Sequence, residues 1–157
     1  MAFTHYRFRS VWTLPVPPGA VYEVLERGED YPRWWKQVRE VIPLDEHSGR
    51  ARFRSVLPVD LVITAWETRR DPDAGILEIG MAGDLEGWAR WTVRGGPGGR
   101  GTRAVYEQEV EVRHALMRAF ALPGRPFFLV NHALMMRSGR RGLLVHLARL
   151  DADGSRD

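Results

Sequence analysis

The sequence predicts an α+β domain in which a curved, seven-stranded antiparallel sheet wraps around one long C-terminal helix, with two short helices after the first strand. Three observations carry that prediction. Apolar and polar residues alternate with period two over residues 5 to 14 and again along "TRAVYEQEVEV" at 102 to 112. Between residues 38 and 113, strand-like runs are joined by short turn-rich links with no helical segment among them, which is the pattern of an antiparallel meander. Residues 127 to 150 contain no proline and place apolar side chains on one broad helical face.

The elements follow in order. In "HYRFRSVWTL", Tyr6, Phe8, Trp12 and Leu14 share one parity and His5, Arg7, Arg9 and Thr13 the other, as in a strand with one buried face. "PVPPGAVYEVLERGEDYPRWW" begins with prolines that pre-set a helix start, carries Val21, Val24 and Leu25 as a stripe, and is broken by Gly28 and Pro32. A short helix, a turn and a second short helix with the tryptophans are expected there. Six strands follow, read from "QVREVIPLD", "ARFRSVLP", "DLVITAWETRR", "ILEIGMA", "DLEGWARWTV" and "TRAVYEQEVEV". In the last of these Ala104, Tyr106, Gln108, Val110 and Val112 point one way and charged residues the other, so one face is solvated and the other looks inward. A short apolar segment, "HALMRAFAL", and a break at "PGRP" precede the long helix. That helix aligns Phe128, His132, Met135, Met136, Gly139, Leu143, His146, Leu147 and Leu150, and sets Arg137, Arg140 and Arg141 largely opposite. An apolar helical stripe and an apolar sheet face each need a partner, so the helix should lie across the concave side of the sheet.

Length and composition set limits. A chain of 157 residues is most simply one domain, read as residues 1–150 with a flexible tail at 151–157. There is no cysteine, which excludes disulfides, thiol nucleophiles and thiolate metal sites. The N-terminus lacks the apolar core of a secretory signal, and no run approaches the roughly 18 apolar residues of a membrane span. A soluble cytoplasmic protein without stable membrane association is therefore expected. Lys and Arg exceed Asp and Glu by 23 to 20, an excess too small to argue for nucleic acid, and no interleaved stacking aromatics support it.

Several chemistries are set aside. "RGGPGGRG" has five glycines in eight residues but neither Lys-Ser/Thr nor a following helix, so it reads as a hairpin loop and not a phosphate cradle. The five histidines show no paired metal spacing, and no serine-led motif suggests acyl transfer. No metal and no cofactor is expected.

The order strand, two short helices, six strands, long helix resembles the helix-grip fold of the SRPBCC superfamily, which includes the START and polyketide cyclase/dehydrase proteins. Three stretches carry the resemblance: "VPPGAVYEVLERGEDYPRWWKQV" with its Tyr-Pro-x-Trp-Trp turn, "GDLEGWARWTV", and "NHALMMRSGRRGLLVHLARL". It covers about residues 3 to 150. What it implies is a cavity between the sheet and the helix. The fold hosts lipid carriers, hormone receptors and aromatase/cyclases, so the resemblance does not fix a reaction.

The residues expected at such a cavity are Trp34 and Trp35 at its mouth, Trp91, Tyr106 and Gln108 from strands, and Phe128, His132, Met135 and Met136 from the helix. The tryptophans serve equally as core plugs. Gly87, Ala89 and Gly139 are read as leaving room. Gln108, on a buried face, needs a hydrogen-bond partner from a neighbour, a water or a ligand. His132 is either a satisfied core residue or a titrating group, and the facing of Trp66 and of the Glu67/Arg69 pair stays open.

Apolar walls with isolated polar groups suit a hydrophobic, aromatic, polyketide-like or lipid-like small molecule. The alternative is a cofactor-independent aromatase/cyclase that promotes aldol cyclisation and dehydration, with His132 and Tyr106 as its acid and base and Gln108 orienting a carbonyl. A third class, an interaction-mediating subunit, rests on fold analogy alone. Monomer and homodimer both remain open.

Overall fold

In the computed structural model the described residues are 5–54, 60–115 and 121–155, the last stretch without the side chains of 121–125 and 127. The alternation in residues 5 to 14 forms β1 (His5–Leu14), whose even-numbered residues Tyr6, Trp12 and Leu14 are buried. The meander forms β2 (Val38–Asp45), β3 (Ser48–Arg54), β4 (Asp60–Asp71), β5 (Ile76–Gly83), β6 (Leu85–Gly95) and β7 (Thr102–Val112). All neighbours are antiparallel, in the order β1-β7-β6-β5-β4-β3-β2. The far end of "ARFRSVLP" and most of "HALMRAFAL" lie outside the described residues.

That order decides where the short helices go. β1 is one edge of the sheet and β2 the other, so the chain between them must cross the sheet at one end. It does so as α1 (Pro18–Leu25), a single turn at Gly28–Asp30 and α2 (Tyr31–Trp34). Val21, Val24 and Leu25 of α1 are buried as their spacing implies, and the prolines precede or open the helix, where a missing N–H costs nothing.

The long helix α3 runs Ala121–Gly154 and is longer at both ends than its sequence pattern suggests. The "PGRP" stretch does not break it. Pro123 lies within the first four residues, whose N–H groups have no intrahelical acceptor, and only Pro126 falls deeper. At the other end Asp151–Gly154 continue the helix, and Ser155 closes it by donating from both its backbone N–H and its Oγ to the Asp151 carbonyl, at 3.1 and 2.9 Å. The buried stripe is Phe128, Asn131, Met136, Gly139, Leu143 and Leu147, and Leu150, expected on it, is 48% exposed.

The core divides along α3. Towards its C-terminal half, Trp12, Trp34, Trp35, Trp91, Leu143 and Leu147 pack with α1 into a solid cluster. Towards its N-terminal half, Tyr6, Leu61, Ile63, Met81, Ala89, Val110 and Phe128 form a second cluster, and Tyr106 touches both. Two glycines let α2 sit on α3. A Cβ at Gly142 would land on the Trp34 carbonyl oxygen, and one at Gly139 would come within 2.6 Å of the Trp35 ring. The space left by Gly139 is therefore filled by Trp35. Gly87 likewise makes no room for a guest: at φ +152° it admits the Glu109 carbonyl of β7, so its role is close strand approach.

Candidate functional site

Where the large aromatics stop, the inner face of the sheet turns to smaller side chains. Pairing fixes that face strand by strand: Val41 opposite Ala51, Ala51 opposite Ile63, Ala65 opposite Met81, Ile79 opposite Ala89, and Ala89 opposite Gln108. Three alanines among these five pairs leave space beneath the helix that larger side chains would fill. The result is a cavity of about 420 Å³ bounded by that face and by Phe128, His132, Met135 and Met136 of α3, a volume in the range of small-molecule sites.

Of the residues expected there, Trp35, Trp91, Tyr106, Gln108, Phe128, His132, Met135 and Met136 line the cavity and Trp34 does not. The two tryptophans divide the roles. Trp35 faces the cavity and anchors itself by donating from its indole N–H to the Met135 carbonyl, 3.0 Å away. Trp34 is buried against Tyr31, with ring centroids 4.8 Å apart, and its indole N–H has no acceptor among the described residues. Tyr31, whose hydroxyl donates to the Leu25 carbonyl at 2.7 Å, ties the second helix to the end of the first.

A continuous run of rings crosses the site. Trp12 lies 4.7 Å from Trp91, Trp91 4.9 Å from Tyr106, and Tyr106 6.0 Å from His132, which stacks on Phe8 at 3.8 Å with planes 8° apart. Burial pulls the His132 imidazole down from its ordinary value to about 4, so it is neutral at pH 7 and can accept or donate a hydrogen bond. Burial pushes the Tyr106 phenol well above its ordinary range, leaving it a neutral O–H donor. Gln108 is 8% exposed, and the one hydrogen bond its side chain makes among the described residues is a long contact from Nε2 to the Met81 sulfur, 3.8 Å. Sulfur is a weak acceptor, and the carbonyl end of the amide is left to the cavity.

Charged residues collect where the cavity opens, between the end of α1, the β2–β3 hairpin and β4. A bulge between Glu67 and Arg69 resolves which of these face inward. Glu67 opposes Ile79 and Arg70 opposes Leu77 on the inner side, whereas Trp66 opposes Gly80 on the outer side, where its ring covers the glycine and is 41% exposed. The inward pair is thus Glu67 with Arg70. Arg70 Nε stands 3.9 Å from both Glu67 and Glu26, its Nη2 donates to the Glu26 carbonyl at 3.3 Å, and His47 Nδ1 is 3.6 Å from Glu67. The bulge removes one residue from the alternation, and nothing in the sequence of β4 announces it.

Residues 14–128 match the model of the family described as polyketide cyclase/dehydrase and lipid transport. The chain belongs to that family. Its superfamily is SRPBCC, and the sheet, short helices and long C-terminal helix are those of the helix-grip fold. Among solved structures it is similar to the Zhui aromatase/cyclase from a Streptomyces species, with a TM-score of 0.76 at 14% identity over 92% of this chain and 94% of that one. A Thermus thermophilus protein gives 0.75 at 18% identity over 92% and 99%, and a START superfamily protein from Mycobacterium smegmatis 0.73 at 13% over 92% and 98%. At these identities the likeness carries the fold and not the reaction. No curated protein matches the chain. Among the described residues no helix is long and apolar enough to cross a membrane, and no group of three His, Asp or Glu side chains is placed to hold a metal ion.

Proposed function

We propose that this protein binds a hydrophobic small molecule, aromatic, polyketide-like or lipid-like, in the cavity between its sheet and α3. The observation that carries the reading is Gln108. It is a buried amide whose side chain reaches only a thioether, on the wall of a hollow otherwise lined by aliphatic and aromatic groups. A buried amide without good partners is costly, and a guest carrying one hydrogen-bonding group would satisfy it. Trp35, Trp91, Tyr106, Phe128, His132, Met135 and Met136 supply the apolar and aromatic contact, and the two methionines adapt their shape to the guest.

The test is native mass spectrometry of the purified protein, together with thermal shift against polycyclic aromatic and long-chain acyl compounds. A guest at one hundred times its Kd should stabilise the fold by about 2.7 kcal/mol. For a chain of this length that raises Tm by roughly 5–10 °C. Ala51→Phe, which places a ring in the cavity from β3, should abolish the shift while leaving the protein folded. A protein that carries no guest and shifts with no compound would refute the reading.

His132 favours a second reading, a cofactor-independent aromatase/cyclase. A neutral imidazole beside a neutral phenol on a dry wall can take a proton from carbon next to a carbonyl while the phenol hydrogen-bonds the enolate oxygen. Gln108 would hold a second carbonyl. If a His132→Ala/Tyr106→Phe variant cyclised an accepted substrate as fast as the parent, these roles would be excluded.

A further inference from the structure

A second hollow, of about 280 Å³, adjoins the first. Lys36, Gln37, Arg39 and Arg54 form one wall, from the α2–β2 link and the neighbouring ends of β2 and β3. Asn131, Leu134 and Met135 of α3 form the other. Asn131 and Met135 face both hollows, so the two share a boundary.

Their chemistry differs. The main cavity next to α3 is apolar, whereas the annex has three cationic side chains and no acidic one among the described residues of its wall. The carboxylate that pairs with Arg54 is already shared: Asp60 takes Arg54 through one oxygen and Arg52 through the other, each at 2.8 Å. No described carboxylate lies within ion-pair distance of Lys36 or Arg39, and Arg39 acts on the Asp60 carboxyl only at longer range. A surplus of cations around one shared carboxylate, at the edge of a greasy hollow, favours one kind of guest. An anion buried in the main cavity would be stripped of water without a counter-charge, while the same anion in the annex meets two cations and keeps part of its hydration.

Building on the reading that the main cavity holds a small molecule, we propose that this molecule is an amphipathic anion. Its apolar body lies beneath α3, and its carboxylate or phosphate passes Asn131 and Met135 to sit against Lys36 and Arg39. The annex then sets the orientation of the guest, head towards α2 and body towards β4.

Displacement of the neutral fluorophore Nile red from the full-length protein tests this with three competitors of one chain length: dodecanoate, dodecyl phosphate and dodecanol. At low salt at least one of the two anions should displace the dye at about one-tenth the concentration of the alcohol, a preference that shrinks as salt rises. A preference for one anion over the other identifies the head group. Lys36→Gln/Arg39→Gln, at two exposed positions, should abolish the preference and leave dodecanol unchanged. Arg9→Gln/Arg50→Gln, which removes the same charge from other exposed strand positions, should retain it. Equal displacement by all three competitors, or a preference that survives Lys36→Gln/Arg39→Gln, would overturn the head-group assignment while leaving the cavity reading intact. Failure of Nile red and of every competitor to bind would overturn both.

Discussion

Replacing Gly142 by alanine adds one methyl group, and its effect follows from where α2 rests. The new Cβ would coincide with the Trp34 carbonyl oxygen, which is backbone and cannot rotate away. Relief requires α2 to lift from α3 by more than an ångström. A gap of about 0.5–1 Å already forfeits a quarter to a half of the dispersion attraction at a contact, and the contacts at stake are those of Trp34 and Trp35, both about 95% buried. Overpacking of this kind costs about 1–3 kcal/mol, against a gain of about 1 kcal/mol from replacing glycine in a helix. The net loss of up to about 2 kcal/mol lowers Tm by up to roughly 8 °C. Gly19 provides the control: it is helical and exposed, and a Cβ there meets nothing within 4 Å. Gly19→Ala should therefore stabilise by up to about 1 kcal/mol. Urea unfolding followed by tryptophan fluorescence measures both. A Gly142→Ala protein that gains as much stability as Gly19→Ala would show that α2 does not rest on the Gly142 backbone.

Three further outcomes are expected. His132 is neutral in the folded protein down to about pH 4 but ionises near 6.5 when unfolded, so the stability it contributes is full above pH 6.5 and is lost as pH falls towards 4. The gap corresponds to about 3 kcal/mol, and the difference in urea stability between the parent and His132→Phe across that window measures it. A parallel pH dependence in the two proteins would refute the burial argument. Thr102 is fully buried and its hydroxyl donates to the Val16 carbonyl at 2.6 Å, so Thr102→Val should cost about 1–3 kcal/mol and Thr102→Ser less, since serine keeps the bond. A larger loss from Thr102→Ser than from Thr102→Val would indicate that the methyl and not the hydrogen bond matters. Gln108→Leu should leave stability within about 1 kcal/mol, because the side chain it removes makes only a weak bond to sulfur, while weakening any guest that hydrogen-bonds there. Calorimetric titration of such a guest into both proteins reads the difference.

The sequence alone determined the run of strands and, in β1 and β7, their inner faces, because side chains alternate along an extended chain and a one-residue slip would turn every apolar group to solvent. β1 and β7 begin and end at the residues the pattern implies, and the alternation by itself gives Tyr106 and Gln108 one inward parity. The tryptophan turn was legible as a cavity mouth or a core plug, with the choice left open. The tertiary structure decided what depends on distances between elements far apart in the chain. Adjacent tryptophans separated into a cavity wall and a buried plug because Gly139 and Gly142, more than one hundred residues later, set how closely α2 approaches α3. A bulge in β4 turned Glu67 and Arg70 inward and Trp66 outward, since register is a property of strand pairs and not of one strand. The cavity and its cationic annex are spaces, and a space is fixed by how far apart packed elements stand. Lys36, Arg39, Arg54 and Asn131 meet only because the sheet curls back on the helix.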